Sequence, residues 1–169
     1  MKHVLIAIPF ILFASLITTK TSAQHAGIFV HALYAAPVGG ISSDFYDGGA
    51  GVEGGILAGR KNTRFVGSIG YSHFFKDNSN SYGDKTYIPV KAGVRQYLPL
   101  NIIFLQADMG VGFVSQKNYS STTPFTYDFQ AGVKLGGFEA AIGWDNLHAK
   151  EYAGWSSWFT VKAGINLGF

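Results

Sequence analysis

Three histidines stand where they could do acid–base work. His31 shares an alternating face with Phe29 and Leu33, His73 follows Ser72, and His148 lies close to Lys150 and Glu151. A serine hydrolase needs its nucleophile and base within about 2.6–3.2 Å. Ser72 and His73 are adjacent in an extended segment, so their side chains face opposite sides. His73 therefore reads as a polar tip near an interface, and His31 as an interior hydrogen-bonding residue. No His, Asp and Glu residues gather at metal-ligand spacing. The chain has no Cys, which removes disulfides, thiolate sites and a lipidated cysteine anchor. Gly39-Gly40 and Gly48-Gly49-Ala50-Gly51 lack the Lys-Ser/Thr and the strand-to-helix setting of a phosphate loop. The expectation is a protein with no catalytic residue, cofactor or metal. What remains is a scattered set of ten charges suited to pairing with one another: Glu53, Arg64, Lys91, Arg95, Asp108, Asp128, Lys134, Glu139, Asp145 and Lys162.

The elements that carry those charges alternate with a period of two. In 103–113, Ile103, Leu105, Ala107, Met109, Val111 and Phe113 form one face against Phe104, Gln106, Asp108, Gly110 and Gly112. In 155–169, Phe159, Val161, Ala163, Ile165, Leu167 and Phe169 oppose Ser156, Thr160, Lys162, Gly164 and Asn166, with Trp158 an outsize member of the polar face. Segments 50–60, 64–75, 86–98, 125–135 and 138–145 repeat the pattern. Segment 26–36 is the least clean, with apolar residues on both faces. That makes eight strands. Long connections near 37–49, 76–85, 115–124 and 146–153 alternate with short ones near 60–63, 98–101 and 136–137. The 22 Gly penalise helix by about 1 kcal/mol each relative to Ala.

The first 23 residues read differently. A basic start, the apolar run Val4 to Ile17 and the small residues Thr21-Ser22-Ala23 resemble an export signal cut after Ala23. Residues 24–169 are then the single mature domain. Of the 13 Lys and Arg, Lys2 and Lys20 fall in the leader, so the mature chain is near neutral and offers no nucleic-acid footprint.

Two eight-stranded barrels suit such alternation. A soluble lipocalin-like carrier turns its apolar face inward, and a membrane barrel turns it outward. The polar faces hold five bases and five acids, a balance that matters only if they are enclosed, where an unpaired charge is costly. The apolar faces are nearly free of charge, and aromatics gather near strand ends as in interfacial girdles. The expectation is an all-β, eight-stranded antiparallel up-and-down transmembrane β-barrel, its lumen plugged by charged side chains.

The whole mature segment resembles the small outer-membrane β-barrel domain family that includes the barrel of outer-membrane protein A and outer-membrane protein X. The resemblance rests on the leader, the eight amphipathic strands, the run Tyr87-Ile88-Pro89-Val90-Lys91-Ala92-Gly93-Val94-Arg95-Gln96-Tyr97 and the closing Ala163-Gly164-Ile165-Asn166-Leu167-Gly168-Phe169. It implies that Ile165, Leu167 and Phe169 form the signal read by the barrel-insertion machinery. It also implies a monomer in the bacterial outer membrane, in contact with lipid and lipopolysaccharide, with both termini in the periplasm. Pro89 is expected to mark a bulge at the outer rim. Four outer loops are expected to display Tyr46, Tyr82, Tyr119 and Tyr152. The role expected is structural or surface-interacting, with a lipid A-modifying enzyme, a small channel and a soluble ligand carrier as alternatives.

Overall fold

A computed structural model describes residues 24–40, 46–76, 84–116, 122–149 and 154–168. The leader 1–23, Phe169, Tyr82, Tyr119 and Tyr152 lie outside the described residues. Eight strands follow one another: β1 (Gln24–Gly40), β2 (Tyr46–Arg60), β3 (Thr63–Lys76), β4 (Lys85–Tyr97), β5 (Ile103–Gln116), β6 (Phe125–Leu135), β7 (Phe138–Ala149) and β8 (Gly154–Gly168). Each pairs antiparallel with the next, and β8 pairs back with β1 to close the barrel. Closure leaves no unpaired sheet edge, which a wall in hydrocarbon requires.

The strands run longer than the sequence pattern implied, because bonded pairs continue past the apolar alternation into the expected loops. β1 has 17 residues and β2 has 15, against the roughly 9–11 that cross hydrocarbon. Tyr46 is accordingly not displayed on a loop. It opens β2 and is buried, its ring 6.0 Å from Phe74.

The short connections lie at one end, together with the start of β1 and the end of β8. Lys61-Asn62 joins β2 to β3, and Gly136-Gly137 joins β6 to β7. Gly136 sits at φ 61, where a side chain would be strained. A single 3₁₀ turn, Pro99–Asn101, joins β4 to β5.

Pro89 does not make a bulge. The β3–β4 pairing keeps one register through Ile69↔Val90 and Ser72↔Tyr87, but the rungs between are missing. Proline has no N–H to give, so the ladder is interrupted rather than shifted. The irregularities lie instead between Pro37 and Gly39 of β1 and between Tyr46 and Gly48 of β2.

Apolar side chains face out along every strand; Ile69, Met109 and Val161 are each more than half exposed. Inside, β1–β3 contribute a small greasy patch of Phe29, Leu57 and Val66. The inner face of 26–36 is apolar for two reasons: Phe29 lines this patch, while Leu33 and Ala35 pack toward Tyr46, Phe74, Tyr87 and Trp158 at the other end.

Candidate functional site: the charged lumen

The alternating register delivers the polar face of each strand to the interior. Glu53, Lys91, Arg95, Asp108, Asp128, Glu139, Asp145 and Lys162 are all buried there, while Val90, Val111 and Val161 lie on the outer wall. Toward the short-turn end, Arg95 Nη1 meets Glu139 Oε1 at 2.8 Å and Oε2 at 3.0 Å. His31 Nε2 lies 3.1 Å from Oε2 of the same carboxylate, and Asn166 donates to Oε1 at 2.5 Å. Arg95 Nε donates to Gln106 at 2.5 Å, and the guanidinium lies 4.0 Å over the Phe104 ring.

The middle of the lumen is acidic. Asp108, Asp128 and Asp145 are direct cross-strand partners on β5, β6 and β7, a row of three carboxylates on one face. Like charges so placed repel. Lys91 answers them: its ammonium contacts Asp128, lies 3.3 Å from Asp145 and 3.7 Å from Glu53. Lys162 donates to Glu53 at 2.9 Å. Gln130 donates to both Asp108 (3.3 Å) and Asp128 (2.9 Å), and Gln106 donates to Asp108 at 2.5 Å. Thr160 donates to Asp145 at 3.0 Å.

Three of the ten expected pairing residues behave differently. Asp108 touches amides but makes no ion pair among the described residues. Arg64 and Lys134 are only half-buried at the short-turn mouth and also make none. Arg64 stacks 4.7 Å over Tyr97, and Lys134 donates to Asn166 at 3.1 Å. Composition counts five bases against five acids, but the charges are not mixed evenly along the axis. The bases crowd the mouth and the acids crowd the middle. Of the three residues expected to form an insertion signal, Ile165 and Leu167 face outward, and Phe169 lies beyond the described residues.

Sequence reasoning missed the other end. Trp158 is buried, with Phe74 and Tyr87 each 5.3 Å from its ring in edge-to-face contact. Lys85, which opens β4 instead of lying in a loop, is buried among them. Its ammonium sits 5.5 Å from the Tyr46 ring and 5.6 Å from those of Phe74 and Trp158. The signal was available: Phe74, Tyr87 and Trp158 occupy polar-face positions at the same end of three strands. Interior glycines make room for aromatic rings at both ends of the lumen. A Cβ on Gly112 would overlap the Tyr87 ring, and one on Gly132 the Phe104 ring.

No family model matches the chain, and no curated protein does. Solved structures do. The outer membrane protein Ail of Yersinia pestis in a nanodisc superposes with a TM-score of 0.55 at 15% identity, covering 88% of this chain and all of that one. Neisserial surface protein A gives 0.56 at 14% identity over 88% of this chain and 98% of that one. Ail of Yersinia pestis in complex with the heparin analogue sucrose octasulfate gives 0.53 at 13% identity, covering 85% and 97%. The fold is that of the small eight-stranded outer-membrane barrels. In a barrel of this size the lumen is just wide enough for side chains to fill. The contacts above bridge strands that are not neighbours: Arg95 and Lys91 of β4 reach Glu139 and Asp145 of β7, three strands away.

Proposed function

We propose that the chain is an integral outer-membrane barrel with a structural or surface-interaction role, its lumen plugged by charged side chains against steady conduction. The observation that carries this reading is the inversion of the usual protein order: ion pairs inside, Ile, Val, Leu and Phe outside. A lipocalin-like carrier would have the reverse, with a greasy cavity and a charged exterior. Both termini would lie in the periplasm beside the short turns, and the four long connections would face out.

The relatives supply the direction of the surface role. One is named an attachment invasion locus protein and was solved with a heparin analogue, and another is named a surface protein. For this chain the corresponding proposal is adhesion through the loops. Residues 41–45, 77–83, 117–121 and 150–153 hold Asp44, Asp77 and Glu151 against Lys117 and Lys150, with many Ser, Asn and Tyr. Such near-neutral, Tyr- and Ser-rich loops suit a protein or sugar surface better than a polyanion. No catalytic role is proposed: Ser72 is buried in the lumen while His73 turns the other way, 3.6 Å from Asp84.

The test is migration on SDS gels with and without boiling, using the outer-membrane fraction, followed by planar-bilayer recording. A heat-shifted band and no discrete current steps are expected. Recovery in a detergent-free periplasmic extract would refute the membrane reading, and regular steps would refute the plug.

A further inference from the structure

On the wall made by β3 and β4, Arg64 and Arg95 are direct cross-strand partners. Both turn inward onto one ring: the Arg64 Cζ lies 4.7 Å and the Arg95 Cζ 6.0 Å from the centre of Tyr97. Two like charges directly opposite one another destabilise a sheet. Here the described residues relieve only one member of the pair. The single carboxylate at this level, Glu139, already receives Arg95 Nη1, His31 and Asn166. Arg64 reaches no carboxylate among the described residues.

The consequence is visible atom by atom. Arg64 Nε, Arg64 Nη1 and Arg95 Nη2 are shielded from solvent and have no hydrogen-bond acceptor. A shielded donor left unmet costs about 1–3 kcal/mol, more when it carries charge. A third cation adds to the excess: Lys134 is half-buried at the same mouth, where its ammonium donates to Asn166 at 3.1 Å. Arg64, Arg95 and Lys134 less Glu139 leave two positive charges uncancelled. Arg60 and Lys61, exposed at the tip of the β2–β3 turn, surround the same mouth with more.

We propose that this mouth is an anion site that takes a doubly charged phosphate group, held between Arg64 and Arg95 and neutralised with help from Lys134. A guanidinium offers parallel N–H donors that match two oxygens of a carboxylate or a phosphate, but only the tetrahedral phosphate keeps a further oxygen for a second guanidinium and an ammonium. Two guanidinium groups and an ammonium facing one another supply donors for several oxygens at once. The site stands on the lumenal geometry alone, whatever surface the loops contact. The same chemistry is offered by a soluble phosphate monoester and by the phosphomonoester headgroup of a lipid at the rim.

The experiment uses the folded protein in uncharged maltoside micelles without phosphate. Thermal unfolding is followed while inorganic phosphate is titrated against chloride at equal ionic strength. A parallel arm compares dihexanoyl phosphatidic acid with dihexanoyl phosphatidylcholine. Phosphate or the phosphatidic acid should raise the unfolding temperature above its control, and the stronger of the two identifies the source. Arg64→Gln and Lys134→Gln should each weaken the apparent affinity about tenfold, roughly 1.4 kcal/mol. Arg64→Lys, which keeps the charge but loses the fork, should fall between. If Arg64→Gln does not refold, Lys134→Gln and Arg64→Lys decide. The proposal is overturned if neither anion stabilises the protein over its control, or if these variants respond as the unmodified chain does.

Discussion

The acidic row across β5, β6 and β7 and the arginine pair across β3 and β4 pose the same problem with opposite sign. In each, like charges stand directly opposite one another on the lumenal face. The row is resolved from within: Lys91 bridges Asp128 and Asp145, and Gln106 and Gln130 give their amides to Asp108. The pair is resolved by half, since Arg95 has Glu139 and Arg64 has no carboxylate among the described residues. The difference teaches that enclosure, not sheet pairing, decides what a charge needs. At the centre no solvent can reach, so partners must be built in. At the mouth a partner can arrive from outside.

The comparison can be broken most sharply at its centre. Lys91→Met should cost about 3–5 kcal/mol, because Asp128 and Asp145 keep their charges and lose their cation. Urea unfolding in maltoside micelles would measure it, and an unchanged midpoint would show that the row does not depend on Lys91. Gln130→Leu should cost less, about 1–3 kcal/mol, since it removes a donor shared by two carboxylates. Asp108→Asn goes the other way. It deletes one like charge from the row, and the shift should stay within about 1 kcal/mol toward greater stability. A clear loss of melting temperature would mean that Asp108 has a cation partner. The smallest effect belongs to Arg64→Gln without phosphate. Relief of repulsion and loss of the ring contact, each about 0.5–1 kcal/mol, should nearly cancel. A drop of several kcal/mol would place Arg64 in the structural network instead.

The architecture was readable in the residues because the period-two signal depends on two solvents, hydrocarbon outside and ions inside, and those sort side chains without regard to detail. Strand count, inward faces and the burial of Lys91, Arg95 and Lys162 follow from that sorting. What was not readable depends on register between strands. Three carboxylates in a row, or two arginines side by side, are invisible until 108 is set beside 128, and 64 beside 95. The aromatic cluster at the end away from the short turns escaped for a related reason. Aromatic residues near strand ends suit both an interfacial girdle and a lumenal cap, and Phe75 and Phe74, one residue apart, do one each. Tyr46 and Lys85 were assigned to loops because pairing continues where apolar alternation stops.

The gap beside Pro89 gives the wall one seam unlike the others. Between the rungs at Ile69 and Ser72 the two strands are held by packing rather than by shared protons, with the proline ring nested against a glycine, Gly70, that leaves space for it. A closed cylinder has no free end from which to peel, so its yielding must begin at some joint along its side. Here the joint is fixed by one missing hydrogen, and slow breathing of the barrel would start along that line.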